Sequence, residues 1–370
     1  MLAEKQSLTT PVTVKKSTVA PLRLLIAASG TGGHLFPAIA TAEQLPDYQI
    51  QWLGVPHRLE KDLVPSKYPL KTIALEGFQK RFGLGTLRII TRFIAAIWTC
   101  RRLLKQGKFQ GVFTTGGYIA APAIIAARSL NLPAILHESN ALPGKVTRFL
   151  SPFCTTVAIG FPAAAKYLPR AKTVCTGTPV RQQFLSPQNH DLPIPDKVPI
   201  IIVFGGSQGA VAINQMVRQA APAWFEAGAW VVHLTGDKDG EAGSLQHPQY
   251  ICLPFYDNMA GLLQRANLAI SRAGAGSLTE LAITGTPAIL IPYPFAAEDH
   301  QSFNAKVFGD VGAALVFKQS ELTAEVLKTK VLSLLETPEE LAKMAQNAAI
   351  LAVRDSGERL AQLLRELLEN

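Results

Sequence analysis

Three times along this chain a short apolar run ends in glycines and turns at once into a helical pattern: "LLIAASGTGGHLFPAIATAEQL" at 24–45, "VFGGSQGAVAINQM" at 203–216 and "SRAGAGSLTELAITG" at 271–285. Such a corner belongs to a parallel βαβ unit, because parallel neighbours need a long crossover and a helix usually supplies it. It also presents unpaired backbone N–H groups at the positive end of a helix, which suits an anion such as phosphate. Further strand patterns fill in the rest. "LRLLIAAS", "QIQWLGV", "GVFTTG", "PAILHES" and "TTVAIG" alternate with helical stretches up to about residue 170. The alternation resumes as "IIIVFGGSQGA", "WVVHLTG", "YICLPF", "NLAISRAGAGS" and "AILIPYP".

Between the two series lies "SPQNHDLPIPDKVP", rich in proline and polar residues, so a whole domain is doubled, as 370 residues allow. The expected organisation is a loose polar tail at 1–20, an α/β domain at 21–185, a linker at 186–199 and a second α/β domain at 200–350. A C-terminal helix at 351–370 can return to the first domain. The two halves differ in charge: residues 1–190 carry 23 Lys+Arg against 7 Asp+Glu, a net +16, and residues 191–370 carry 13 against 20, a net −7. A basic half suits an anionic surface. With no zinc-finger spacing, RNP-like segment or basic heptad helix, phospholipid is a better partner than nucleic acid. No run reaches the ~20 apolar residues that span a bilayer, and the polar N-terminal stretch lacks the apolar core of a secretory signal. Cys100, Cys154, Cys175 and Cys252 show no metal-ligand spacing, which fits a reducing compartment.

Each motif has rival readings. The first corner lacks the third glycine of GxGxxG, and the second strand ends in "WLGV" without an acidic residue to hold a ribose, so a dinucleotide is disfavoured. His34 at that corner is either a buried, satisfied histidine or a functional one. Ser277 and Glu280 form either a capping box or a ribose grip. Gly205-Gly206-Ser207-Gln208-Gly209 matches the nucleophile elbow G-x-S-x-G, with Asp299 or Asp257 and His300 as loosely placed triad partners, so a serine hydrolase is one alternative. "DKD" at 237–239 reads as a solvated turn rather than a metal clamp. No Walker A loop and no HExxH occurs.

Taken together, "SGTGGHLFPA", "TTGGYIAAPA", "HESNALPGK", "GTPVR", "GGSQGA", "PFYDNM" and "SRAGAGSLTEL...GTPAILIPYPFAAEDHQSFNA" resemble the MurG family, in order from about residue 22 to 310. The resemblance implies a GT-B architecture, two Rossmann-like α/β domains with parallel sheets facing across a cleft. It also implies an inverting transfer of N-acetylglucosamine from UDP-GlcNAc to undecaprenyl-pyrophosphoryl-MurNAc-pentapeptide, lipid I, giving the lipid II of peptidoglycan synthesis. In the first domain, Thr31, Gly32, Gly33 and His34 with Gly116, Gly117 and Tyr118 would face the acceptor. In the second, Gly206, Ser207 and Gln208 would meet the donor diphosphate with Arg181, beside the corner at Gly274 and Ala275. The backbone near Tyr256 and the Met259 side chain would frame uracil, Glu280 would bind ribose, and Asn140 and Gln301 would reach the sugar. Two positions depart from the family pattern: Ser29 stands for a usual glycine and Ser302 for a second Gln.

An imidazole at its ordinary pKa of about 6.5 can take the proton of the attacking hydroxyl, which makes His34 the candidate base, with acceptor positioning as its alternative role. Helix N-termini and Arg181 can balance the leaving diphosphate, so neither a metal nor another cofactor is expected. The segment at 77–105 is expected to dock on the cytoplasmic face of the plasma membrane: Phe78, Phe82 and Leu84 lie beside Lys80 and Arg81, ahead of Arg88 and Arg92. The helical stripe Leu87, Ile90, Ile94 and Ile97 is expected to face inward. A UDP-GlcNAc 2-epimerase-like enzyme and a non-enzymatic membrane adaptor are the remaining alternatives.

Overall fold

The computed structural model describes residues 21–56, 59–75, 84–206 and 209–369, with residues 84–88 through their backbone. Strands β1 (Arg23–Ala28), β2 (Gln49–Gly54), β3 (Leu70–Thr72), β4 (Gly111–Gly116), β5 (Ala134–Glu138), β6 (Thr156–Ile159) and β7 (Thr173–Cys175) form one sheet in the order 3-2-1-4-5-6-7. Helices α1 (Gly32–Glu43), α2 (Glu60–Leu63), α3 (Leu84–Gln106), α4 (Ala120–Arg128) and α5 (Lys145–Leu150) connect them. A second sheet holds β8 (Ile200–Phe204), β9 (Trp230–Leu234), β10 (Tyr250–Leu253), β11 (Leu268–Ser271), β12 (Ala288–Leu290) and β13 (Ala314–Val316), in the order 10-9-8-11-12-13. With it go α6 (Val211–Glu226), α7 (Met259–Arg265), α8 (Ala275–Thr284), α9 (His300–Asp310), α10 (Ala324–Glu336), α11 (Pro338–Ile350) and α12 (Ser356–Leu368). Every pairing is parallel.

Parallel strands covered on both faces read as continuous apolar runs rather than alternations. Accordingly "IIIVF" in β8 and Leu24 to Ala28 in β1 are buried throughout. Each sheet carries one apolar cluster per face. On the first sheet, α3 and α4 cover one face through Ala96, Cys100, Leu104 and Ile124, and α1 covers the other. The last helix shares that second face: Leu360, Leu364 and Leu368 of α12 pack with Leu35 and Ile39 of α1. Arg365 adds a bond to the Gln44 carbonyl and an ion pair with Asp47, each at 2.9 Å. The chain therefore crosses between the sheets twice, near Thr178 and near Ser356, whose Oγ donates to the Thr178 carbonyl at 3.0 Å.

The stripe expected to face inward on α3 is corrected. Ile90 and Ile94 are 42% and 49% exposed, and the buried line runs Ile89, Ala96, Cys100, Leu104, with Phe93 and Ile97 partly covered. The helix is apolar on more than one face, and small residues at 96 and 100 let it lie close on the sheet, so spacing alone did not choose the buried side. Phe78, Lys80, Arg81 and Phe82 lie outside the described residues, as do the side chains of Leu84, Leu87 and Arg88.

Candidate active site

In an open parallel sheet, loops diverge where the strand order reverses, and ligands bind at that point beyond the strands' C-terminal ends. The reversals here fall between β1 and β4 and between β8 and β11. Three of the four loops at these points are the glycine corners of the sequence, and the fourth is Gly116-Gly117-Tyr118.

At the first reversal, Nδ1 of His34 donates to the Thr115 carbonyl at 2.7 Å, and Oγ1 of Thr115 donates back to the His34 carbonyl at 2.7 Å. A carbonyl only accepts, so in the neutral ring the proton sits on Nδ1 and Nε2 keeps its lone pair. Gly116, at φ +111°, makes room for this ring: a Cβ there would stand 2.8 Å from His34 Cε1. Gly117 lies as close to Ser29, whose carbonyl oxygen would be 2.4 Å from its Cβ, and the buried Ser29 is accommodated in that contact. Thr31 precedes α1 in extended conformation, and Tyr118 is half-exposed at the same edge.

Across the cleft, α9 ties the two domains together. Asn304 is wholly buried. Its Oδ1 accepts the Ala141 N–H at 2.8 Å, and its Nδ2 donates to Asn140 Oδ1 and to the Ala273 carbonyl, both at 3.1 Å. Asn140 is also fixed from its own side, since Oε1 of the buried Glu138 accepts its N–H at 3.0 Å and its Nδ2 at 2.9 Å. One turn before Asn304, Gln301 Oε1 accepts the N–H groups of Ala273 at 3.1 Å and Tyr293 at 2.9 Å. That fixes the amide so that its Nε2 has no protein partner among the described residues. Ser302 donates to Asp299 at 2.6 Å.

Glu280 is the sixth residue of α8, whose N-cap is Gly274, so Ser277 and Glu280 do not form a capping box. Burial pushes the Glu280 carboxyl up to about 7, against the pull of Arg181 3.4 Å away. The Arg181 guanidinium also stacks over Phe36 of α1 at 4.6 Å and over Phe184 at 5.1 Å. Through this stack the helix that carries His34 meets α8. Tyr256 donates to Asp191 in the linker, and Asn258 caps α7 ahead of Met259. Gly206 adopts φ +81° at the second corner, while Ser207 and Gln208 lie outside the described residues.

One alternative loses its support, and one expectation is corrected. His300 Nδ1 donates to the Ala297 carbonyl at 2.8 Å, and Asp299 takes Ser302, so among the described residues no acid orients this histidine for a triad. Asp239 is not part of a solvated turn: it is 8% exposed and bonded to Arg218 and Asn214. Sequence reasoning passed over Glu138, Asn304, Thr115 and Phe36. All four stand inside the quoted motifs, but the roles of Asn304, Thr115 and Phe36 arise only from contacts between distant segments.

Two Rossmann-like domains, each with a glycine corner at its strand reversal and with a histidine facing a carboxylate-bearing helix across the cleft, define a glycosyltransferase of GT-B architecture. Residues 24–159 match the glycosyltransferase family 28 N-terminal domain and residues 200–360 the family 28 C-terminal domain. The chain is 71% identical over 353 residues to a UDP-N-acetylglucosamine--N-acetylmuramyl-(pentapeptide) pyrophosphoryl-undecaprenol N-acetylglucosamine transferase of Nostoc punctiforme, covering 95% of this chain and 99% of that one. The protein of the same name from Trichodesmium erythraeum is 64% identical, with 95% and 94% covered. The crystal structure of Acinetobacter baumannii MurG superposes with a TM-score of 0.77 at 32% identity, covering 94% of this chain and all of that one. The chain belongs to the MurG family of glycosyltransferases.

Proposed function

We propose that this chain moves N-acetylglucosamine from UDP-GlcNAc to the C4 hydroxyl of MurNAc in lipid I, forming lipid II with inversion at the anomeric carbon. The observation that carries the reading is the fixed imidazole: Nδ1 of His34 is committed to Thr115, so Nε2 is the basic nitrogen at the acceptor side of the cleft. The C4 oxygen attacks the anomeric carbon from the face opposite UDP. Its proton passes to His34 Nε2, and the bond to the β-phosphate oxygen breaks with its electron pair leaving on UDP. Glu280 accepts the ribose hydroxyls, Gln301 and Asn140 hold the sugar, and the backbone N–H groups of residues 205–210 with Arg181 receive the diphosphate charge.

Among the described residues no group of three or more His, Cys, Asp or Glu side chains is placed to hold a metal ion. We read the leaving-group site as built from dipoles and a guanidinium. Lipid I is membrane-bound, and among the described residues no helix is long and apolar enough to cross a bilayer. We therefore place the protein peripherally on the cytoplasmic face of the inner membrane, the basic first domain toward anionic phospholipid.

Incubation with UDP-GlcNAc and a lipid I analogue tests the reading, with product resolved by mass and an EDTA arm alongside. Transfer that persists in EDTA is expected. Formation of UDP-ManNAc without transfer would favour an epimerase, and loss in EDTA with rescue by magnesium or manganese would overturn the metal-free leaving-group site.

A further inference from the structure

We propose that Arg218 and Asp239 are positioning residues for the donor diphosphate, acting through Asn214 to hold the turn after β9 against Gly209 at the end of the second glycine corner. This rests on the reading that the corner meets the diphosphate of UDP-GlcNAc.

Both side chains are nearly sealed from solvent, 7% exposed for Arg218 and 1% for Asp239. Asp239 accepts Arg218 Nη1 at 2.7 Å and Nη2 at 3.4 Å, Asn214 Nδ2 at 2.7 Å and the Glu241 N–H at 3.1 Å. Burial alone would raise the Asp239 carboxyl, yet the Arg218 and Asn214 bonds hold it below the usual range, so the pair stays ionised. A buried ion pair seldom stabilises a fold more than apolar groups of the same size would. Its distinctive property is directional: it fixes one geometry.

The parts it fixes converge on the glycine corner. Asn214 and Arg218 lie four residues apart and so share one face of α6, the helix that the corner starts. Asn214 spends both amide hydrogens, on Asp239 and on the Thr235 carbonyl at 3.0 Å, so its Oδ1 must accept from His233 Nε2 at 3.0 Å. His233 Nδ1 then accepts from the Tyr250 hydroxyl at 2.6 Å, which links β9, β10 and α6 in one satisfied network. The same Thr235 carbonyl is the wall against which Gly209 rests: a Cβ on Gly209 would stand 2.2 Å from it. A displaced turn must therefore displace Gly209 and the N–H groups beside it. The charges of Arg218 and Asp239 cancel within the network, so their effect on a phosphate comes from placement.

The test uses the full chain with Asp239→Asn, Arg218→Lys and the double variant Arg218→Met with Asp239→Leu, each measured for melting temperature, UDP affinity and steady-state kinetics. Removing both charges together avoids an uncompensated buried ion but leaves the Asn214 amide and the Glu241 N–H without their acceptor, so the double variant is expected to fold and to melt several degrees below the parent. It is still expected to raise the UDP Kd and the KM for UDP-GlcNAc about tenfold, leaving the acceptor KM within twofold. Arg218→Lys keeps the cation and loses the fork, and is expected to fall between. If the double variant folds with donor KM and UDP Kd within twofold of the parent, the pair is only structural and the proposal falls. If the double variant does not fold, Arg218→Lys decides by the same donor-against-acceptor split. A parent chain that fails to bind UDP would overturn the donor reading and this proposal with it, whereas a binding parent with an unchanged variant overturns this proposal alone.

Discussion

At the scale of single residues, the proposed chemistry divides between one nitrogen and one carboxyl. Among the described residues His34 has a single free ring nitrogen, because Thr115 holds the other. Replacing His34 by Ala is expected to lower kcat by ~10²-fold or more, the usual worth of a positioned base, with UDP affinity nearly unchanged because, on the proposed reading, the uridine sits on the second domain. Near-parental turnover would remove His34 from the chemistry. Gly116→Ala should give a milder version of the same loss, since its Cβ would push the imidazole off its perch. Glu280 supplies a pH test. Its carboxyl titrates near 7, and two ribose hydroxyls need an acceptor, so the ionised form binds and affinity should rise with pH. Uridine, which has no phosphate to titrate, should bind about tenfold more weakly at pH 6 than at pH 8, as one proton linked to a pKa near 7 requires. Glu280→Gln should bind uridine equally at both values; an unchanged pH dependence in that variant would assign the titration elsewhere. His34 and Glu280 were legible in the sequence because each stands in a glycine corner, where backbone rules narrow the possibilities. Asn304 was not, because what makes it matter is the Asn140–Ala141 loop some 160 positions away in the other domain, and Glu138 was not, because its hold on the Asn140 N–H and amide is a matter of loop geometry that no residue pattern announces.

Among the elements, α3 shows where sequence periodicity stops being decisive. Its core line of Ile89, Ala96, Cys100 and Leu104 and its outer line of Ile90, Ile94 and Trp98 are both apolar, and only packing against α4 and the sheet told them apart. The three-residue strands β3, β7 and β13 escaped notice for a related reason: at that length edge pairing, rather than residue pattern, makes the strand. The ten runs read as strands are all present in the two sheets, among them β12, which is also three residues long but lies inside its sheet between β11 and β13. The outer line of α3 is what the membrane reading gains from the structure, since Trp98 is 66% exposed. An apolar ridge in a basic domain gives a lipid surface both wedges and charge. Ile94→Ser with Trp98→Ser should weaken binding to anionic vesicles and turnover on long-chain lipid I, and spare turnover on a soluble short-chain acceptor. Adding Lys80→Gln and Arg81→Gln should deepen the loss and flatten its salt dependence, because each cation contributes about 1 kcal/mol near an anionic leaflet. Equal losses on both acceptors would mean that the ridge serves the active site and not the membrane.

For the whole molecule, the proposed reaction depends on two domains meeting with the acceptor and donor sides in register, and α8, α9 and the turn before α9 carry cross-cleft contacts on the second domain. Arg148 pairs with Glu298, Tyr167 meets Phe303 edge-on at 6.4 Å, and Arg181 joins Glu280 to Phe36. Arg148 and Glu298 are both partly exposed, so that pair contributes little. Asn304 differs because it is wholly buried and each of its bonds reaches a loop at the site. Removing its amide leaves the Ala141 N–H and the Ala273 carbonyl without partners, at about 1–3 kcal/mol for each buried group left unsatisfied. Asn304→Ala should therefore lower the melting temperature by several degrees. Its kinetic effect should be larger than its thermal one: kcat/KM is expected to fall at least tenfold for both substrates, because Asn140 loses its anchor on one side of the cleft and the Ala273 loop that seats Gln301 loses it on the other. Asn304→Asp keeps the size and the Ala141 bond but turns the donor toward Asn140 and Ala273 into an acceptor, so it should lose activity as fully as the alanine. Small-angle scattering on the parent and both variants provides the structural readout. A cleft held by Asn304 should open, with a larger radius of gyration in both variants. An unchanged radius with a fall in donor kcat/KM alone would confine Asn304 to the donor loop and leave domain register to the other contacts.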